Sequence, residues 1–110
     1  MRIWVQAFVL TSLFTSIAHA QSATGPVNLT KLRTGWAADQ FALETGQAVL
    51  NPANCPVPNG YHSASTDPGY KTYYSTALTA FSLGKNVTIV VSNTECSVGG
   101  PRIIGLWMEK

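Results

Sequence analysis

Residues 67–92 read DPGYKTYYSTALTAFSLGKNVTIVVS, and this stretch decides the fold. Apolar side chains fall at Tyr70, Tyr73, Tyr74, Ala77, Leu78 and Phe81. That spacing keeps them on one face of a 3.6-residue turn, so it predicts an amphipathic helix. Asp67 suits the N-cap, Pro68 the first helical position and Gly84 the residue just past the end. The helix is therefore expected over 68–83. At Asn86 the period changes. Val87, Ile89 and Val91 alternate within a β-branched run, and 86–92 reads as a strand.

Working outward, residues 93–101 form a turn-rich loop carrying Cys96, Gly99 and Gly100. A last strand is expected over 102–108, with Ile104, Leu106 and Met108 on one side and Ile103 and Trp107 on the other. Gly105 in its middle marks a bulge or a close packing contact. Upstream, 27–34 alternates partly, with Val27 and Leu29 on one face and Leu32 on the other. Residues 40–45 form a second strand with Phe41 and Leu43 toward the core, after a connection at 35–39. The segment 51–59 holds three prolines and Cys55, which reads as a loop, and 61–65 is a short third strand. The order is β-β-β-α-β-β. It predicts a mainly β protein with one α-helix, an OB-like five-stranded barrel whose helix lies between the third and fourth strands. The alternative is an α+β sandwich with one helix on an open antiparallel sheet.

The full chain has 110 residues, 45% hydrophobic and 11% charged, with a net charge of +2. Average soluble domains carry roughly 25% charge. Near-neutrality argues against a nucleic-acid binder held by a basic patch. The N-terminus carries a separate signal: a positive start at Arg2, an apolar run over 3–17, and the small-x-small motif Ala18-His19-Ala20. This pattern predicts a secretory signal peptide over 1–20, cleaved after Ala20. A membrane anchor fits less well, because the run is short of the roughly 20 residues that a span needs. Gln21 is not the cysteine that a bacterial lipid anchor requires. One domain is expected over 21–110, secreted or periplasmic, with no membrane span. In an oxidising compartment Cys55 and Cys96 are expected to pair. Closing a loop of about 40 residues is worth roughly 4 kcal/mol in the chain-entropy model. The alternative is a reactive thiol, but neither cysteine belongs to a C-x-x-C motif.

Little in the sequence points to catalysis, and no enzyme activity, cofactor or metal site is expected. After processing, His62 is the sole histidine, and it reads as a solvated loop residue. With Ser63, Ser65 and Asp67 it makes a superficial hydrolase set, yet neighbours in one loop rarely converge into a triad. The carboxylates Asp39, Glu44, Asp67, Glu95 and Glu109 are scattered. Aromatic residues are more suggestive. Trp36 in its connection and Tyr61 are the ligand-binding candidates, since an exposed ring can stack on a sugar or anchor a partner; the competing reading of Trp36 is a cap on one barrel end. Asn28-Leu29-Thr30 and Asn86-Val87-Thr88 match the glycosylation sequon.

Residues 70–91, YKTYYSTALTAFSLGKNVTIVV, resemble the helix-then-strand segment of the B subunits of subtilase cytotoxin and typhoid toxin. Residues 30–45, TKLRTGWAADQFALET, are similar to their first hairpin, and Ile104-Gly105-Leu106 to their Val-Gly-Leu. The same layout is similar to small secreted bacterial OB-like proteins of unassigned function. They too have a cysteine before the helix, an Ala-x-x-x-Gly-Lys-x-Val helix end (Ala80 to Val87) and a cysteine before the final strand. The resemblance implies an OB-like barrel and, for the toxin group, a pentamer that binds sialylated glycans. Two departures stand out. The toxin subunits carry a cysteine where this chain has Ala42 or Leu43. Their glycan-contacting serine falls near Thr24 or Gly25, where no serine stands.

The expected function is a secreted non-catalytic binding module of the glycan-binding, toxin B-subunit type, with a cell-surface glycan as partner and a homo-oligomeric state. The alternative is a secreted or periplasmic accessory protein that binds another protein. Nucleic acid is not an expected partner.

Overall fold

The structure is a computed structural model and describes residues 21–110. The expected signal peptide and its cleavage site lie outside the described residues. Among the described residues no helix is long and apolar enough to cross a membrane. The elements in chain order are β1 (Gln21–Ala23), β2 (Val27–Thr34), β3 (Gln40–Thr45), β4 (Tyr61–Ala64), α1 (Tyr70–Leu83), β5 (Asn86–Ser97) and β6 (Gly100–Met108).

Hydrogen bonding runs from β5 to β2, β3, β4 and β6 and returns from β6 to β5. The five expected strands thus close into an OB-like barrel, with one helix between the third and fourth of them, and the open-sheet alternative is set aside. All of these pairings are antiparallel except β4 with β6, which is parallel and made through His62 and Arg102. β1 was not expected, because Gln21-Ser22-Ala23 has no apolar alternation. It pairs with β5 at residues 90–92, on the edge that β2 continues at 86–87. Thr24 joins the two lanes: its N–H donates to the Ile89 carbonyl and its hydroxyl accepts from the Ile89 N–H.

Two bulges correct the expected faces. The β2–β3 register slips between Leu29 and Lys31. A one-residue slip reverses the side-chain parity, so Leu32 packs against the same core as Val27 and Leu29. In β6, Leu106 pairs with Ile89 and Ile103 with Val91, with a slip between. Ile103 is therefore fully buried and Leu106 packs beside it, although they were expected on opposite sides. Gly105 lies at this slip, where an added Cβ would sit 3.2 Å from the Val90 Cβ.

The helix begins later than expected. Gly69, at φ 83°, is the N-cap and provides no side-chain bond. Only a residue without a Cβ fits there, since the backbone is left-handed and the Tyr73 ring lies against it;. Asp67 is occupied elsewhere: its Oδ2 accepts from the Ala64 N–H and from the Ser97 hydroxyl. The C-terminus follows expectation, with Gly84 at φ 64° and the Lys85 N–H donating to the Ala80 carbonyl. Ala77 and Ala80 are fully buried against the barrel, while Leu78 and Phe81 stay 44% and 43% exposed. The tyrosines reach inward. Phe41 packs between Tyr70 and Tyr74, at centroid distances of 5.6 and 5.5 Å. The Tyr73 hydroxyl donates to the Ile104 carbonyl at the β6 bulge.

The segment 93–101, expected as a loop, is mostly strand. Ser97 pairs with Gly100 and Cys96 with Pro101. The hairpin turns on Val98 and Gly99, at φ 51° and 79°. Two consecutive positive φ values form the tight turn that matches strand twist. The Cys55–Cys96 disulfide is present and ties the 51–60 loop to this hairpin.

Candidate binding groove

One row of residues crosses four strands on the outer face of the barrel. Arg33 pairs with Ala42, Ala42 with His62, and His62 with Arg102. Ala42 is the small member, and the row dips there. Three connections rise around the dip: the β2–β3 hairpin tip, the β5–β6 turn and the 51–60 loop. Together they enclose a groove of about 440 Å³. Arg33, Gln40, Ala42 and His62 line its inner part, and Trp36, Val57 and Val98 its rim.

The hairpin tip is strained. Gly35, Trp36 and Ala37 all have positive φ, at 84°, 79° and 67°. Left-handed backbone costs a residue with a Cβ roughly 1–2 kcal/mol. The Gly35 N–H to Gln40 carbonyl bond closes the tip at 3.0 Å and fixes that geometry. The tip holds Trp36 93% exposed, so the ring does not cap the barrel. Positive φ is common in tight hairpin turns, and backbone strain at residues with a Cβ also occurs at ligand clamps.

The facing wall is a loop without strand pairing, yet it is well tied. The Asn51 side chain accepts from the Cys55 N–H and donates to the Cys55 carbonyl, at 2.8 and 3.0 Å. The Val57 N–H donates to the Gly99 carbonyl at 2.8 Å. Asn59 then reaches across the groove base. Its carboxamide oxygen accepts from His62 Nε2 at 2.9 Å and from Arg33 Nη2 at 3.3 Å. Its backbone carbonyl accepts from the same Arg33 nitrogen at 3.2 Å. On its other side Arg33 Nε lies 3.0 Å from Glu44 Oε2.

His62 is corrected from a solvated loop residue to a buried strand residue, 7% exposed. Gly100 makes this possible, because any Cβ there would overlap the imidazole. Burial, and then the Arg33 charge, hold its pKa below the ordinary histidine value, so the ring is neutral and donates through Nε2;. The hydrolase-like set does not converge. His62 faces outward, whereas Ser63 pairs with Phe41 on the inner face and is fully buried. Asp67 is bound to Ala64 and Ser97. Among the described residues no three His, Cys, Asp or Glu side chains group as metal ligands.

Tyr61, the other ligand-binding candidate, is 1% exposed. Its ring is therefore core, not a stacking platform. The hydroxyl accepts from the Leu50 N–H at 2.9 Å, and burial raises its pKa, so it stays protonated. Tyr61 does border a second hollow of about 360 Å³ on a different part of the barrel. Thr24, Gly25, Pro26, Gln47 and Ala48 complete that hollow. It contains the position that the toxin resemblance gives to a glycan-contacting serine.

Sequence reasoning singled out Trp36 but missed Arg33, Asn59, Val57 and Val98. Asn59 carries the one local signal that could have found it, as a polar residue closing a proline-rich loop beside a strand.

No family model matches the chain, and no curated protein is similar enough to count as a relative.

Proposed function

We propose that the protein is a secreted or periplasmic, non-catalytic binding module whose ligand is a carbohydrate held in the groove beneath Trp36. The observation that carries this reading is the strained, almost fully exposed Trp36 ring at the groove rim. An exposed indole gains from covering the apolar face of a sugar, and little else stabilises it in this position. Groups suited to sugar hydroxyls lie nearby. The Gln40 and Thr34 side chains line the groove and make no hydrogen bond with the described residues. The location also suits the role. OB-type barrels take oligosaccharides and oligonucleotides on this strand face, between the loops that here are the β2–β3 tip and the β5–β6 turn. That last support is an analogy of fold. The resemblance to toxin B subunits points the same way and adds a pentameric assembly. A protein partner is the second reading, favoured by Val57 and Val98, which are 45% and 46% exposed on the rim.

The test is a glycan array with the wild-type protein and Trp36→Ala, alongside native mass measurement. Array binding that drops about tenfold or more in the variant, with unfolding unchanged, is expected for a ring whose loss removes at least about 1.4 kcal/mol. A monomer that binds no glycan overturns the toxin-type reading, and capture of a protein ligand by the same groove establishes the second.

A further inference from the structure

The groove wall opposite Trp36 is attached to the barrel in an unusual way. Segment 46–60 pairs with no strand. Its middle is tied to β5 by the Cys55–Cys96 disulfide, between residues 41 apart in sequence. Two residues further on, the Val57 N–H bonds Gly99, and four residues further on Asn59 orients Arg33 and His62. The polar base of the groove is thus held by a loop whose anchor is that disulfide. The barrel ring closes through β5, β2, β3, β4 and β6 without it. Neither cysteine belongs to the main core cluster, which centres on Phe41, Leu43, Ile89, Val91 and Ile103.

We propose that the disulfide is a switch for the groove: the binding site assembles only in the oxidised chain, so binding competence is gained on reaching an oxidising compartment. This rests on the reading of the groove as the ligand site. The switch reverses with a dithiol reductant. A reductant thiolate attacks Sγ of Cys96, the exposed residue of the pair. Cys55, which is 4% exposed, leaves as a thiolate and takes a proton. The second reductant thiol then displaces Cys96, and the reductant ends as a cyclic disulfide. Two electrons and two protons pass to the cysteines. With the bond open, Val49 and Leu50 still pack on the core at the start of the segment, but 51–58 is restrained only by hydrogen bonds, and local unfolding of that stretch need not involve the core;.

The experiment compares oxidised protein, protein reduced with dithiothreitol, and the double variant Cys55→Ser, Cys96→Ser. Amide hydrogen exchange reads the wall at Val57 and Asn59 and the core at Leu43 and Ile103, and NMR titration reads the His62 imidazole. Opening the bond is expected to lower Val57 protection about tenfold or more beyond the uniform fall that loss of the cross-link imposes on the core. The His62 pKa is expected to rise toward the ordinary value of about 6.5 as its burial is lost. Glycan-array binding falls in parallel. Retained Val57 protection and an unmoved His62 titration overturn the proposal. So does a loss of protection by the same factor in wall and core, in which case the bond is a staple of the whole fold alone. Absence of glycan binding in every form defeats the functional reading instead, and leaves the exchange and titration results to decide the switch.

Discussion

The two hollows of the barrel are built on different terms. The groove has a floor of buried strand residues, Ala42 and His62, but its rim is made of exposed large side chains, Trp36, Val57 and Val98, and its wall is fastened by a disulfide. The second hollow is bordered by residues that also hold the barrel together: Thr24 bonds Ile89 of β5, and the Tyr61 hydroxyl ties β4 to the Leu50 backbone. One region therefore carries left-handed non-glycine backbone and large exposed apolar side chains, while the exposed lining of the other is small or polar, at Gly25, Pro26, Gln47 and Ala48. That difference favours the groove as the place where function resides.

The sharpest way to break the comparison is Gly100→Ala. The new methyl overlaps the His62 ring, which burial leaves little room to move. A loss of about 2 kcal/mol is expected from such overpacking, read as a lower urea midpoint. The His62 and Asn59 resonances should shift while those of Tyr61 and Leu50 do not. Tyr61→Phe tests the other side. It strips the Leu50 N–H of its acceptor, costing about 1 kcal/mol, and the midpoint falls with the groove unperturbed. A shift at His62 in this variant would join the two hollows into one unit.

Ala37→Gly works in the opposite direction. Glycine adopts φ 67° without penalty;. Relief of strain outweighs the added freedom of the unfolded chain, for a net gain of about 0.5 kcal/mol. A higher melting temperature checks this, and an unchanged one would mean the tip is not strained. The smallest effect concerns pH. The folded pKa of His62 is lowered below its unfolded value of about 6.5;. Between those two values the unfolded chain binds the extra proton, so this residue weakens the fold as pH falls below about 6.5 and leaves it unaffected above. Below about pH 6.5 the melting temperature of wild type should fall more steeply with acid than that of His62→Gln, while above it the two run parallel;.

The helix, five of the strands and the disulfide were legible because each leaves a local mark in the chain: periodicity, β-branched alternation, a cap glycine, an even cysteine count. What escaped depends on pairing. The bulges near Thr30 and Ile104 reverse parity, and only the partner strand reveals them. β1 is defined by the edge it joins, not by its own composition. Asp67 looked like a helix cap because its neighbours fit one, but a tertiary acceptor role overrode that local preference. The same reasoning explains the site. Trp36 was visible as an aromatic in a connection. The row Arg33, Ala42, His62, Arg102 spans 70 positions of sequence and exists only through register, so no local pattern announces His62 as buried or Asn59 as its partner.

The parallel contact between β4 and β6 has a mechanical meaning. The β2–β3, β3–β4 and β5–β6 neighbours are zipped by antiparallel ladders of four or more residue pairs, whereas β2 and β5 pair at two positions and β4 and β6 at His62 and Arg102 alone. Asp67 reinforces the place from outside, binding the end of β4, Ser97 of β5 and, at 3.9 Å, the Arg102 guanidinium. A closed barrel presents no free strand edge, and that is its protection against pairing with other chains. In this barrel the protection has a seam. Parting β4 from β6 breaks one residue pair and turns the ring into a ribbon with two edges while the other ladders stay intact.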